Sequence, residues 1–166
     1  MFQVGDQVVY GSHGVCSIVN VEQRVIDRKR INYFALEPLH QPGARYFVPS
    51  ENPVALSKLR HLITRQELDQ LLQSAEIRES CWISDENQRK QRYRELITSS
   101  DRVSLLRMIN TLHQHKKKQQ EAGRKFHLCD ENFLHDAEKL LTAEFSLVLG
   151  IDPSEVEGYI LTALDK

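Results

Sequence analysis

Between Val4 and Pro49 the chain never runs far without a turn signal. Val4-Gly5-Asp6, Gly11-Ser12-His13-Gly14, Asp27-Arg28-Lys29 and Gln41-Pro42-Gly43 cut it into short pieces. Glycines supply positive φ, and proline fixes φ while ending strand pairing. Such spacing is too tight for helices, and what lies between the turns has strand character. Gln7–Tyr10 is apolar and short. Val15–Glu22 alternates in part, with Val15, Ser17, Val19 and Val21 on one face and Cys16, Ile18, Asn20 and Glu22 on the other. Ile31–Leu36 is aromatic and β-branched, and Ala44–Val48 ends at Pro49. A last strand is expected near Ser57–Arg60. Four or five short strands with tight turns predict a small SH3-like or Tudor-like β-barrel over residues 1–60. Such barrels bind peptides, proteins or nucleic acids, and the fold alone does not choose.

After residue 60 the apolar period lengthens to that of a helix. Thr64-Arg65-Gln66-Glu67 reads as a capping box opening a helix that buries Leu68, Leu71 and Leu72. Gln73–Ser80 is expected to be a linker or an ordered corner. Ser84 is the expected N-cap of the next helix, with two acids in its first turn. Val103, Leu106, Ile109 and Leu112, with Leu105 and Met108, form the stripe of a third helix. Asp130 is the expected cap of a fourth, with core positions Phe133, Leu134, Ala137, Leu140, Leu141, Phe145 and Val148. Asp152-Pro153-Ser154-Glu155 opens a fifth, in which Val156, Tyr159, Ile160 and Ala163 face inward. The fold class is therefore α+β, an N-terminal barrel followed by an all-α domain of about five helices over 61–166. With 40% apolar and 27% charged residues, a packed core is expected and global disorder is not. No apolar run approaches a membrane span, and the N-terminus lacks the basic-then-apolar pattern of a signal peptide.

The functional signal centres on Ser80–Arg94. It holds the single tryptophan, Trp82, followed by Arg89, Lys90, Arg92 and Arg94. Cations neutralise phosphates, and an indole can stack on a base or wedge into a base step. The plainer reading is a tryptophan that fills the gap between two halves and a solvated cationic face. Charge distribution favours a polyanion-facing middle. Residues 76–129 hold twelve Lys/Arg against seven Asp/Glu, while residues 130–166 hold two against nine. The Lys116–Lys118 run is also explained by its place at a helix C-terminus, where cations complement the dipole.

Other chemistry finds little support. His113-x-His115 and His127-x-Cys129 lack zinc-site spacing, so no metal or cofactor is expected. Cys81 has no evident general base. No phosphate-binding glycine loop, nucleophile elbow or HExxH is present, so no enzyme and no small-molecule substrate are expected. Three widely separated cysteines, Cys16, Cys81 and Cys129, fit a reducing cytoplasm better than a disulfide framework.

MFQVGDQVVYGSHGVCSIVNVE resembles the opening of the bacterial CarD/CdnL transcription regulators, roughly FxxGDxVVYxxHG. The downstream Trp82, QRYR, LHQHKK and AEKLLTAEFSLVLGI are also similar to that family, particularly its Firmicute-type branch. The resemblance implies a Tudor-like domain that binds the β subunit of RNA polymerase, as in the similar module of the transcription-repair coupling factor. It implies a helical domain that contacts promoter DNA and whose tryptophan hinders closure of the upstream bubble edge. By that resemblance Arg24 matches a polymerase-binding arginine. Phe47 stands where the family has a second, for which Arg45 would substitute. Trp82, with Arg89, Lys90, Arg92 and Arg94, would meet DNA. The alternative is a protein-interaction adaptor without DNA contact, and a Trp82 more than half buried favours it.

Overall fold

The computed structural model describes residues Phe2–Asp165. The chain divides between Leu62 and Ile63 into two compact units. The first is a five-stranded antiparallel sheet in the order β4-β3-β2-β1-β5. Its strands are β1 (Gln7–Tyr10), β2 (Val15–Ile26), β3 (Lys29–Pro38), β4 (Tyr46–Pro49) and β5 (Leu59–His61). A single helical turn, α1 (Pro53–Leu56), precedes β5, and the Asn52 side chain caps it. The last strand therefore starts two residues and ends one residue beyond the expected Ser57–Arg60, pairing Leu59–His61 with Tyr10–Val8.

The simple alternation expected along β2 does not persist. Register shifts between Ile18 and Asn20, so Val19 is an extra residue. Cys16 and Ile18 point into the core with Val8, Leu36 and Val48. Past the bulge, even-numbered residues face the other way: Asn20 pairs with Ala35, Glu22 with Tyr33 and Arg24 with Ile31. A bulge re-aims side chains in this way. The β2–β3 turn is also tighter than the tripeptide expected. Ile26 pairs with Lys29, leaving Asp27 and Arg28 as the two turn residues, at φ 51° and 66°.

The second unit is helical. Its helices are α2 (Arg65–Gln73), α3 (Glu86–Ser99), α4 (Arg102–Glu121), α5 (Leu128–Leu149) and α6 (Pro153–Leu164). Between α2 and α3, Glu76–Arg78 forms a tight turn with Ile77 fully buried, so this stretch is an ordered corner. Arg78 fixes it, donating to the carbonyls of Ser74 (2.7 Å), Leu72 (3.0 Å) and Ala163 (2.8 Å). One guanidinium thereby satisfies late carbonyls of both α2 and α6, groups that helix ends leave open. α4 is central and buries a broad stripe: Leu105, Leu106, Met108, Ile109 and Leu112. Leu134, Ala137, Leu141 and Phe145 from α5 and Val156 and Ile160 from α6 join the same core. Glu144, 1% exposed, accepts from the Ile63 amide (2.9 Å) and from Arg102 Nε (2.7 Å), which ties the first residue of this unit into α5.

Two expected caps are displaced. Asp85, not Ser84, caps α3, accepting from the Gln88 amide at 2.9 Å. Asp130 caps nothing: α5 begins at Leu128, and the Asp130 carboxylate is fully buried against Arg89. The Asp152 capping box forms as expected, with Pro153 opening α6.

Candidate protein and nucleic-acid interfaces

In the sheet unit, outward residues of β2 and β4 and the residue just before β4 meet around Glu22. Arg24 Nη2 lies 3.3 Å from one Glu22 oxygen and Arg45 Nη1 3.8 Å from the other. The Arg24 guanidinium sits 4.1 Å from the centre of the Phe47 ring. Arg24 and Arg45 remain 50% and 45% exposed, so these ion pairs contribute little stability. They lie on one open face, with Phe47 as an apolar shelf and Glu22 holding the two guanidinium groups near each other. Exposed arginine beside an aromatic ring is the composition of a protein-binding patch. Sequence reasoning met Phe47 only as the residue standing where the family has a second arginine, and Glu22 only as a strand-face position, because the Val19 bulge that aligns them leaves no local signal.

In the helical unit, Trp82 lies in an extended stretch pinned on both sides. The Cys81 amide donates to Thr111 Oγ1 (3.0 Å), and the Cys81 carbonyl accepts from the Tyr93 hydroxyl (3.1 Å). The Ile83 carbonyl accepts from Arg89 Nη1 at 2.9 Å. Tyr93 is fully buried, and burial pushes its hydroxyl far above the ordinary tyrosine range. The Trp82 ring stacks on His115 (3.7 Å between centres, 20° between planes) and lies under the Arg89 guanidinium at 4.3 Å. Trp82 is consequently more than half buried. Burial also depresses the His115 imidazole below its ordinary value, with Arg89, Lys118 and His127 pushing the same way against Asp130.

Arg89 is the clearest correction to the sequence reading. It is 3% exposed and grips Asp130 with Nε at 2.9 Å and Nη2 at 3.1 Å. All three of its nitrogens are committed inside the protein, so none can meet a phosphate. The other α3 cations are accessible but do not share one face. Lys90 and Arg94, four apart, lie on one flank, with Lys90 paired to Glu86 at 3.4 Å. Arg92 lies across the helix, paired to Glu95 at 3.3 Å. Arg94 has no ion-pair partner among the described residues.

A second basic group lies at the end of α4 and in the loop that follows, next in sequence to His115 and Phe126. Lys117 and Lys118 at the end of α4, and Arg124 and Lys125 in the following loop, are exposed and form no ion pairs among the described residues. Phe126, beside that loop, lies 6.1 Å from the His115 ring. Lys116 reaches Glu131 at 3.2 Å instead. Sequence reasoning singled out the lysine run but not Arg124 and Lys125, which follow the α4–α5 turn at Gly123.

Residues 2–60 match the family model of the CarD-like/TRCF RID domain. The sheet unit is similar to a CarD-like/TRCF RID domain. No curated protein matches the chain. The match covers the sheet unit, the Arg24–Arg45–Phe47 face included, and stops before the helical unit. It identifies the RID domain without reaching a Firmicute-type branch. No helix among the described residues is long and apolar enough to cross a membrane.

Proposed function

We propose that this protein is a transcription-related factor whose RID domain docks on the β subunit of RNA polymerase. The observation carrying the proposal is the RID match over residues 2–60, and the open Arg24–Glu22–Arg45 face with its Phe47 shelf supplies a docking surface of suitable chemistry. The helical unit then meets promoter DNA through Lys117, Lys118, Arg124 and Lys125, with Lys90, Arg92 and Arg94 as outlying contacts. Phosphate contacts of this kind carry no sequence preference. Promoter choice comes from polymerase, which raises the local concentration of DNA. Trp82 supports the open fork from the margin of this surface.

A second reading is favoured by the packing of Trp82. To enter a base step the indole must leave His115, an aromatic stack worth about 0.5–1.5 kcal/mol, and Arg89, a contact worth about 0.5–2 kcal/mol. Inserting apolar wedges already has to offset unstacking of roughly a few kcal/mol per step. In this reading the helical unit is a scaffold and the protein is an adaptor.

One experiment separates them. Polymerase association and open-complex lifetime are measured for Arg24→Glu/Arg45→Glu and for Trp82→Ala, alongside melting curves. Docking through the RID face predicts lost association with an unchanged melting temperature in the double variant; retained association refutes it. A DNA-supporting Trp82 predicts retained association and a shorter open-complex lifetime. Loss of stability by about 3–5 kcal/mol, as for a core tryptophan, assigns Trp82 to the scaffold.

A further inference from the structure

The geometry points to a binding site for a divalent transition cation of the zinc class, formed by His113 on α4, Glu138 on α5 and Glu157 on α6. One donor atom from each side chain lies within 4.8 Å of the other two. His113 Nε2 is 2.8 Å from Glu138 Oε1. That contact is a hydrogen bond; tetrahedral metal–donor bonds of about 2.0–2.2 Å separate neighbouring donors by roughly 3.4 Å, so a cation replacing the shared proton needs these two atoms to part by well under about 1 Å. The third needs only a rotation of the exposed Glu157 side chain to close.

Charge argues in the same direction. Glu138 is only 15% exposed, and its sole ion-pair partner among the described residues is His113. Glu157 has no ion-pair partner among the described residues. With the imidazole neutral, as a ligand must be, two carboxylates face each other without a compensating cation. A cation bound between the two carboxylates offsets their mutual repulsion. Imidazole selects against magnesium and calcium, which favour all-oxygen shells, and toward zinc-class metals. The exposed Glu157 side leaves room for water ligands. A cation here links the three helices at a point where no backbone hydrogen bond joins them, which makes it a staple of the helical unit.

The test uses the full chain stripped with a chelator and titrated with zinc chloride, by calorimetry and by melting. One binding event with an upward shift in melting temperature is expected, with no shift from magnesium. Glu157→Gln should melt like the metal-free wild type yet bind zinc at least about tenfold more weakly. His127→Gln/Cys129→Ser, which removes the other close His and Cys pair, should bind like wild type. Absence of binding by the wild type overturns the site. So does undiminished binding by Glu157→Gln, or loss of binding in the His127/Cys129 variant.

Discussion

Arg89 is a cation that behaves as a core residue. Its pair with Asp130 is nearly sealed from water, and it also carries the Ile83 carbonyl and one side of the Trp82 ring. Removing one partner of a buried pair leaves the other charge stranded, at about 3–5 kcal/mol. Arg89→Met should therefore lower helical-unit stability by that order and shift the emission of Trp82, the single tryptophan, while Arg92→Ala and Arg94→Ala should leave both nearly unchanged. Denaturant melts followed by tryptophan fluorescence check this. His115 makes the same site sensitive to acid. Its folded imidazole titrates below the 6.5 of a free one, so the unfolded chain takes up the proton first. Stability from this group is complete above pH of about 6.5 and falls as pH drops through the lower folded value. His115→Gln should lose less stability than wild type on acidification over that window, and its Trp82 emission should be flatter with pH. Equal acid sensitivity would remove His115 as the cause.

Among the elements, the β2–β3 hairpin carries the plainest local strain. Asp27 and Arg28 both hold positive φ without being glycine, as a two-residue turn matched to strand twist requires. Arg28→Gly should stabilise the sheet unit by about 0.5–1 kcal/mol, the relief of left-handed strain outweighing the added freedom of the unfolded chain. Thermal melting reads this, and a lowered melting temperature would contradict it. The turns, the strands and the helical stripes were legible in the sequence because each depends on neighbours only a few residues away. Asp152-Pro153-Ser154-Glu155 is such a case. Ser84 and Asp130 misled because local rules rank both as caps, while Asp85 reached Gln88 first and Asp130 was claimed by a residue forty-one positions away.

For the whole molecule, charge segregation was visible in the sequence, but its arrangement around Trp82 was not. Adjacent cations in α3 scatter around a helix, whereas Lys117, Lys118, Arg124 and Lys125 are all exposed on the two sides of one turn. If these four meet phosphates, binding of the full chain to duplex DNA should fall steeply with salt. Each alanine substitution among them should lower the salt slope by about one unit. Alanine at Lys90, Arg92 or Arg94 should lower it less. Slopes unchanged in the first set and reduced in the second would return the interface to α3.

Arg78 has a consequence for the order in which the protein is made. The corner that opens the helical unit is closed by the Ala163 carbonyl, eighty-five residues downstream. During synthesis the RID domain has every strand of its sheet once His61 has emerged, and it can fold while the ribosome is still extending the chain. The helical unit has to wait for almost all of α6. For that interval the face of α2 that packs on the last helix stays uncovered. A stall or premature stop shortly before residue 163 would leave a finished sheet unit attached to an unfinished, sticky helical one.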